Sequence, residues 1–177
     1  MSSTVNSANA GAVEKPFKMI EWIDLIPPAE LEILMNPPEY VSEIEDGSAE
    51  DQIASQMKSA IEAANDDLYQ QALVSTNVNA NMNGAKIKLP GFIVPLDFDD
   101  DLTVTQFFLV PYFGACLHMP PPPPNQIILV DTAQGVKVDD LQTPFWVSGE
   151  LRTAISENDT ATSAYSMKLL ELELYDY

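Results

Sequence analysis

The sequence is short of cysteine and histidine, with Cys116 and His118 as its only examples in 177 residues. A single cysteine cannot form an intrachain disulfide, so a disulfide scaffold is excluded. The chain also has no apolar run of about 18 residues, the length that a membrane-spanning helix requires. With only one cysteine, the cysteine count does not indicate the cellular compartment.

Cationic residues are scarce as well. Eight Lys and Arg stand against twenty-seven Asp and Glu, which gives a formal net charge of 8 − 27 = −19. The negative electrostatic potential of such a chain repels phosphate backbones and anionic lipid headgroups, which argues against nucleic-acid partners and against binding at a membrane surface. The acidic residues are spread along the chain, which favours adaptation to a saline habitat and leaves a preference for cations or basic partners as the alternative.

The first residues, MSSTVNSANAGAVEKPF, are small and polar and lack the apolar core of a signal peptide. We expect residues 1–18 to form a disordered leader, or to be what is left when an export signal has been removed. The rest of the chain has a length that suits one domain. We assign this domain to residues 19–177. Residues 19–75 are expected to form a strap, which is an N-terminal segment that wraps the main domain, and a helix, and residues 76–177 are expected to form a β-barrel.

The N-terminal part of the domain is predicted to contain the strap and one long helix. Trp22 is the expected anchor of the strap on the barrel, and Pro27–Pro28 and Pro37–Pro38 delimit a short helix. The stretch 48–73 has apolar residues at helical spacing, which predicts a helix packed on the core. We assign no chemistry to this helix.

From residue 74 the apolar pattern takes a period of two, which predicts a series of β-strands. Asn83-Gly84 is a hairpin signal between two extended segments. Gly91 and Gly149 lie inside predicted strands, where a glycine lets a strand bend at a barrel corner. The last strand should contain a bulge or a change of face near Leu169. The expected fold is mainly β (α+β), a small five-stranded OB-like antiparallel barrel with an N-terminal helix and strap.

The segment FGACLHMPPPPPNQ, from Phe113 to Gln126, is predicted to be the functional centre. In an extended backbone, Cys116 and His118 point to the same face with Cα atoms about 7 Å apart, close enough to share one metal ion. Thiolate and imidazole are ligands that transition metals prefer, zinc and copper above all. Two ligands are too few for a tight site, and the acidic turn at Asp97 and Asp99–Asp101 is the nearest source of carboxylates in the sequence.

Other interpretations of this pair stay open. Cys116 is alternatively a small buried hydrophobic residue with His118 hydrogen-bonded in a loop, and a nucleophilic Cys-His pair or a redox-sensing thiol is also compatible with the pattern. No GxSxG, HExxH, P-loop or GxGxxG motif is present, so no other enzyme class is supported. We therefore favour a protein that is not an enzyme.

The proline run that follows is predicted to be a scaffold. Pro120–Pro124 should hold a polyproline II conformation and fix the Cys-x-His pair relative to Asn125. Asn125, Pro120 and Pro124 are assigned to this scaffold, with Asn125 capping the turn. An exposed run would instead serve as a ligand for an aromatic groove. Trp146, on the fourth strand, is expected in the core rather than as a stacking platform.

The ordered set WxxLIPP, LPGFIVPLD, FFLVPYFGACLHMPPPPPNQIILV, PFWVSGEL and AYSM resembles a family of bacterial proteins classed as a domain of unknown function. The resemblance covers roughly residues 20–177, and its most specific part is the CxHxPPPPxNQ stretch. It implies an exported protein, periplasmic or associated with the outer envelope of a Gram-negative bacterium, whose signal or lipid anchor is absent here. It also implies a neighbourhood of transporter-like genes linked to metal supply, and so an ABC-type transporter component as partner. It brings no established role for Cys116, His118 or Asn125.

The leading hypothesis is a non-enzymatic periplasmic binding or accessory protein with a zinc or copper site at Cys116 and His118. The alternative is a protein-interaction module of an envelope transport complex, in which the proline-rich loop is a rigid docking surface and no metal binds. A thiol-dependent enzyme is the third hypothesis.

Overall fold

The computed structural model describes residues 16–36, 67–115 and 122–176. In these ranges the chain forms six strands: β1 (Lys18–Met19), β2 (Lys86–Phe98), β3 (Val104–Val110), β4 (Ile128–Val136), β5 (Phe145–Glu157) and β6 (Thr162–Leu174). Helix α1 spans Pro28–Met35, and residues 67–73 form a second helical segment, α2. The predicted helix over 48–73 is described only in α2, where it is helical. The described ranges contain no helix with the length and apolar character needed to cross a membrane.

Five of the strands close into a barrel. Neighbours pair in the order β2-β3-β4-β6-β5, and β5 pairs back with β2. The predicted five-stranded OB-like barrel is confirmed, but its sheet is mixed: β4 and β6 run parallel, from Ile128↔Tyr165 to Asp131↔Lys168. An odd number of strands cannot alternate in direction around a closed ring, so one parallel pair is required. The sixth strand, β1, adds to β2 in parallel.

Gly91 is the corner at which β2 changes partner. Residues up to Gly91 pair with β5, and from Phe92 onward β2 pairs with β3. A Cβ atom added at Gly91 would lie 2.8 Å from Leu109 Cδ1 and 2.9 Å from the Val110 carbonyl oxygen. A side chain would therefore collide with β3 at the bend, which confirms the corner predicted for this glycine.

The predicted irregularity near residue 169 is a β-bulge in β6. Ser148 pairs with Glu171, whereas the next residue, Gly149, pairs with Leu169. Leu170 is thus the extra residue on β6. Because a bulge changes which face the following residues occupy, it accounts for the break in alternation seen in the sequence.

The barrel interior is filled by alternate residues of the strands together with Ile20 and Leu25 of the strap. In β5 the inward positions belong to Phe145 and Val147. Trp146 lies between them on the outer face, where its ring centroid is 5.0 Å from that of Tyr175. The core position predicted for Trp146 is therefore wrong, because its neighbours in the period-two pattern take the inward places.

A second apolar cluster lies on the outer face of β3. Phe108 and Val110 alternate with the barrel-core residues Phe107 and Leu109, and all four are fully buried. The cover over Phe108 and Val110 includes Ala115 and Ile127, which belong to the connection between β3 and β4. Both described ends of this connection, which carries the proline motif, pack against the outside of the barrel.

The hairpin predicted at Asn83-Gly84 is wrong. The residues before it are not a strand: Ala80–Met82 form a 3₁₀ turn, and Gly84, with φ of +78°, leads directly into β2. Asn79 accepts a hydrogen bond from the backbone N–H of Asn81, and Asn83 accepts one from that of Thr153. The side chains of Asn79 and Asn83 therefore bond backbone groups, and such bonds compete with strand formation.

The strap is held to the barrel by Trp22, as predicted. Its indole Nε1 donates to the carbonyl oxygen of Pro90 at 2.7 Å. The hydroxyl of Tyr165, on β6, donates to the carbonyl of Leu25 at 2.6 Å and accepts from the N–H of Asn79 at 2.7 Å. Two long-range contacts thus join the strap to the barrel, and Tyr165 joins it also to the segment that precedes β2.

Candidate functional site

The structure describes the two ends of the motif from Phe113 to Gln126, residues 113–115 and 122–126. Cys116, His118 and Pro120 lie outside the described residues, so the predicted metal ligands have no assigned position. Pro124 and Asn125, the other two predicted scaffold residues, are described. The site is therefore built from the ends of the motif.

The C-terminal end is fixed by hydrogen bonds. Pro124–Gln126 form a 3₁₀ turn in which Asn125 is only 1% exposed. Asn125 Nδ2 donates to the carbonyl oxygen of Asn77 at 3.1 Å, and Gln126 Nε2 donates to that of Trp22 at 2.8 Å. Asn125 therefore bonds the segment before β2, and Gln126 bonds the strap.

A polar network continues from this point to helix α1. Glu30 Oε1 accepts hydrogen bonds from Ser75 Oγ, at 2.9 Å, and from Asn77 Nδ2. Asn77 in turn accepts from Asn125 through its carbonyl oxygen. The network joins three distant segments of the chain, around Glu30, Asn77 and Asn125, so sequence reasoning missed it. It positions the end of the proline motif relative to α1.

The Asn125 bond gives a prediction for stability. Asn125→Ala removes a buried side chain and its hydrogen bond to the Asn77 carbonyl, and should lower the free energy of unfolding by about 1 kcal/mol, the usual net contribution of one hydrogen bond. Urea titration followed by tryptophan fluorescence measures the change. Asn81→Ala, at an exposed asparagine whose side chain has no bond within the described ranges, is the matched control. Equal losses in the two variants would contradict the assigned bond.

The N-terminal end of the motif borders an apolar groove of about 340 Å³. The groove lies beside the corner where β2 leaves β5, and the β4–β5 connection forms one wall. Phe113 is 49% exposed, and its ring centroid is 6.2 Å from that of Phe92. The other apolar side chains that line it include Val94, Pro95, Val110 and Leu141.

Two carboxylates line the same groove, Asp139 and Asp140. Asp140 accepts from the N–H of Gln142 at 2.8 Å and from the hydroxyl of Thr143 at 2.9 Å. These two hydrogen bonds hold the pKa of the Asp140 carboxyl below its usual value. Asp139 forms no hydrogen bond or ion pair with a described residue. The sequence did not reveal these carboxylates because the β4–β5 connection follows the motif by a whole strand.

The acidic turn at Asp99–Asp101, predicted as a source of metal ligands, lies away from the motif and has a structural role. Asp99 Oδ1 accepts from the N–H groups of Asp101 and Thr103, both at 2.9 Å, so it shapes the turn itself. The turn precedes β3 and the motif follows it, and a strand of this length spans about 20 Å. Nowhere in the described ranges do three or more His, Cys, Asp or Glu side chains form a group that could hold a metal ion.

The fold and site define a small OB-like barrel with a motif-bearing connection packed on its outer face. Residues 22–174 match the family described as Protein of unknown function (DUF3299), so the chain belongs to this family. The match covers the domain as a whole and does not single out the CxHxPPPPxNQ stretch. The resemblance to a bacterial family of unknown function is thereby confirmed.

A solved structure from the same family is similar to this chain in sequence and in fold. The crystal structure of a DUF3299 family protein from Pseudomonas aeruginosa PAO1, at 2.45 Å resolution, is 33% identical in sequence, with a TM-score of 0.64. The similarity covers 92% of this chain and 99% of that chain. No curated protein matches the chain.

Proposed function

We propose that this protein is a non-enzymatic binding or accessory protein, periplasmic or associated with the outer envelope, that binds zinc or copper through Cys116 and His118. One observation supports it: the residues on both sides of the segment 116–121 are held against the barrel. Ala115 is fully buried on one side, and Pro122 and Asn125 are buried on the other. Anchored ends reduce the conformational entropy that this segment would lose when it closes on a metal ion.

The remaining ligands would come from carboxylates beside the groove. Phe113 and Gly114, directly before Ala115, share their groove with Asp139, whose carboxylate forms no bond to a described residue. The acidic turn at the opposite end of β3 is a strand length away. We therefore expect Asp139, and not Asp99–Asp101, to complete the set that Cys116 and His118 begin.

Metal titration of the reduced protein tests the proposal. Cys116→Ala and His118→Ala should each weaken zinc affinity by more than about 100-fold, because the loss of an outer-shell partner alone costs about 10–100-fold. Competition with a chromogenic zinc chelator measures the affinity. Asp139→Asn should also weaken binding, whereas Asp100→Asn, in the acidic turn, should not. A Cys116→Ala or His118→Ala variant with unchanged affinity for both zinc and copper would rule out the metal site.

A second candidate function is an interaction module of an envelope transport complex, such as an ABC-type transporter, without metal. It is supported by the apolar groove, whose wall includes the half-exposed ring of Phe113. The described prolines are less suited to docking: Pro122 is buried, and Pro123 and Pro124 are partly buried. In this function the groove, and not the described half of the proline run, is the docking surface.

A further inference from the structure

We propose that the groove beside Phe113 binds an extended basic segment of a partner protein, in which apolar side chains alternate with Lys or Arg. This inference rests on the second candidate function and requires no metal. Three observations on the described residues support the inference: the shape of the apolar surface, its exposed aromatic groups and the negative charge along its border.

The shape of the apolar surface favours a peptide ligand in extended conformation. A second apolar pocket, of about 190 Å³, is bordered by Trp22, Tyr175 and three prolines. Phe92 lines both this pocket and the 340 Å³ groove, so the two lie side by side at the Gly91 corner. Successive pockets along a surface suit a peptide in extended conformation, whose alternate side chains enter them in turn. A compact ligand would fill only one of the two.

The exposed side chains are of the kind that dominate protein interfaces. Tyr112, Phe113 and Leu141 are each between 40% and 49% exposed, and they lie at or beside the groove. Aromatic groups in such positions contribute a large part of binding free energy because they bury much apolar surface with little loss of side-chain freedom. An apolar surface of this kind on a chain of net charge −19 indicates a binding surface.

The negative charge at the border of the groove favours a partner segment with basic residues. Asp139 has no bond to a described residue, and Asp140 keeps its carboxylate at the same border of the groove through its bonds to Gln142 and Thr143. Both carboxylates border the apolar wall, so an anionic ligand such as a fatty acid or an acidic peptide would be repelled there. A Lys or Arg beside an apolar side chain pairs with a carboxylate while the neighbouring side chain enters the groove.

The test uses a defined peptide and protein free of metal and held in reductant. Acetyl-Lys-Phe-Lys-Phe-Lys-Phe-amide is titrated into ¹⁵N-labelled protein, and binding is followed by NMR shifts of the groove residues. Phe113→Ala should weaken binding about tenfold, which corresponds to the loss of one central aromatic contact. Asp139→Asn should weaken it less and should reduce its dependence on salt. The Glu-Phe and Lys-Ser analogues of the peptide should not bind.

The controls separate a groove from general attraction to an acidic protein. Ile155→Ala, an exposed apolar residue on β5, and Asp159→Asn, in the β5–β6 turn, should bind the peptide as the wild type does. Cys116→Ala and His118→Ala should also bind it, so failure of the metal site leaves this result unaffected. Binding that is equal in wild type and Phe113→Ala would overturn the proposal. A dimer that Phe113→Ala dissociates would overturn it in favour of a second copy of the chain.

Discussion

Gly149→Ala is expected to lower the free energy of unfolding by about 3 kcal/mol, at the upper end of what overpacking a core costs. A Cβ atom at this position would lie 2.6 Å from Met167 Cγ and closer still to the carbonyl oxygen of Lys168. The carbonyl belongs to the backbone of β6 and is held by the parallel pair with β4, since Lys168 pairs with Asp131. The collision can therefore be relieved only by moving a strand.

Urea unfolding curves of the variant and the wild type measure this loss. Gly84→Ala is the matched control, because a Cβ there would meet no atom of the described residues within 4 Å while the backbone φ of +78° is left-handed. That control should lose only about 1–2 kcal/mol, the cost of a side chain in this conformation. If Gly149→Ala lost no more than Gly84→Ala, the close approach of β5 and β6 at the bulge would be wrong.

Tyr165→Phe is expected to lower the free energy of unfolding by about 2–3 kcal/mol, because it leaves one buried and one partly buried backbone group unpaired. The hydroxyl is the acceptor for the N–H of Asn79 and the donor to the carbonyl of Leu25, and Tyr165 is fully buried. The change adds no bulk, so the loss reports on the hydrogen bonds alone. Tyr112→Phe, at a half-exposed tyrosine, should be neutral in the same urea titration.

The same residue should make stability fall at alkaline pH. Burial raises the pKa of Tyr165 above its ordinary value of 10.0, and the hydrogen bond from Asn79 opposes this rise only in part. The unfolded chain therefore releases the phenolic proton at lower pH than the folded chain does. The contribution of the Tyr165 hydroxyl to the free energy of unfolding is fully present below pH 10. It is lost as the pH rises from there through the folded-state pKa. Unfolding titrations between pH 8 and 11 should show a shallower decline in Tyr165→Phe, and an equal decline would contradict the shifted pKa.

The barrel could be predicted because its local signals agree with its tertiary structure. Gly91 and Gly149 interrupt apolar alternation where the strands must bend or approach closely, and the irregular pattern near Leu169 marks the bulge. The parallel β4–β6 pair was missed because alternation fixes which face a residue occupies but not which strand lies beside it. The error at Asn83-Gly84 has a different cause: an asparagine can satisfy the backbone with its own side chain, so a period of two there does not indicate a strand.

The candidate site was only partly accessible to the same reasoning. Sequence adjacency suggested the acidic turn as the source of carboxylates, whereas the chain passes along all of β3 before it reaches Phe113. The carboxylates at the groove, Asp139 and Asp140, come from a connection two elements later, and no local pattern indicates that relation. The bonds of Asn125 and Gln126 also join distant segments. Sites that depend on closure of a barrel are determined by topology, which a single sequence does not display.

The position of β6 has a consequence for how the chain is made. Of the described strands, β6 is the last to be synthesised; it lies between β4 and β5, and no other described strand pairs with both of them. Until residues 162–174 have emerged, β4 and β5 each keep an unpaired edge, and the apolar residues Val130 and Val147 have no neighbour on that side. The barrel therefore cannot close before residues 162–174 have emerged, and a chain that stops short of β6 would expose two sheet edges of the kind that promotes aggregation.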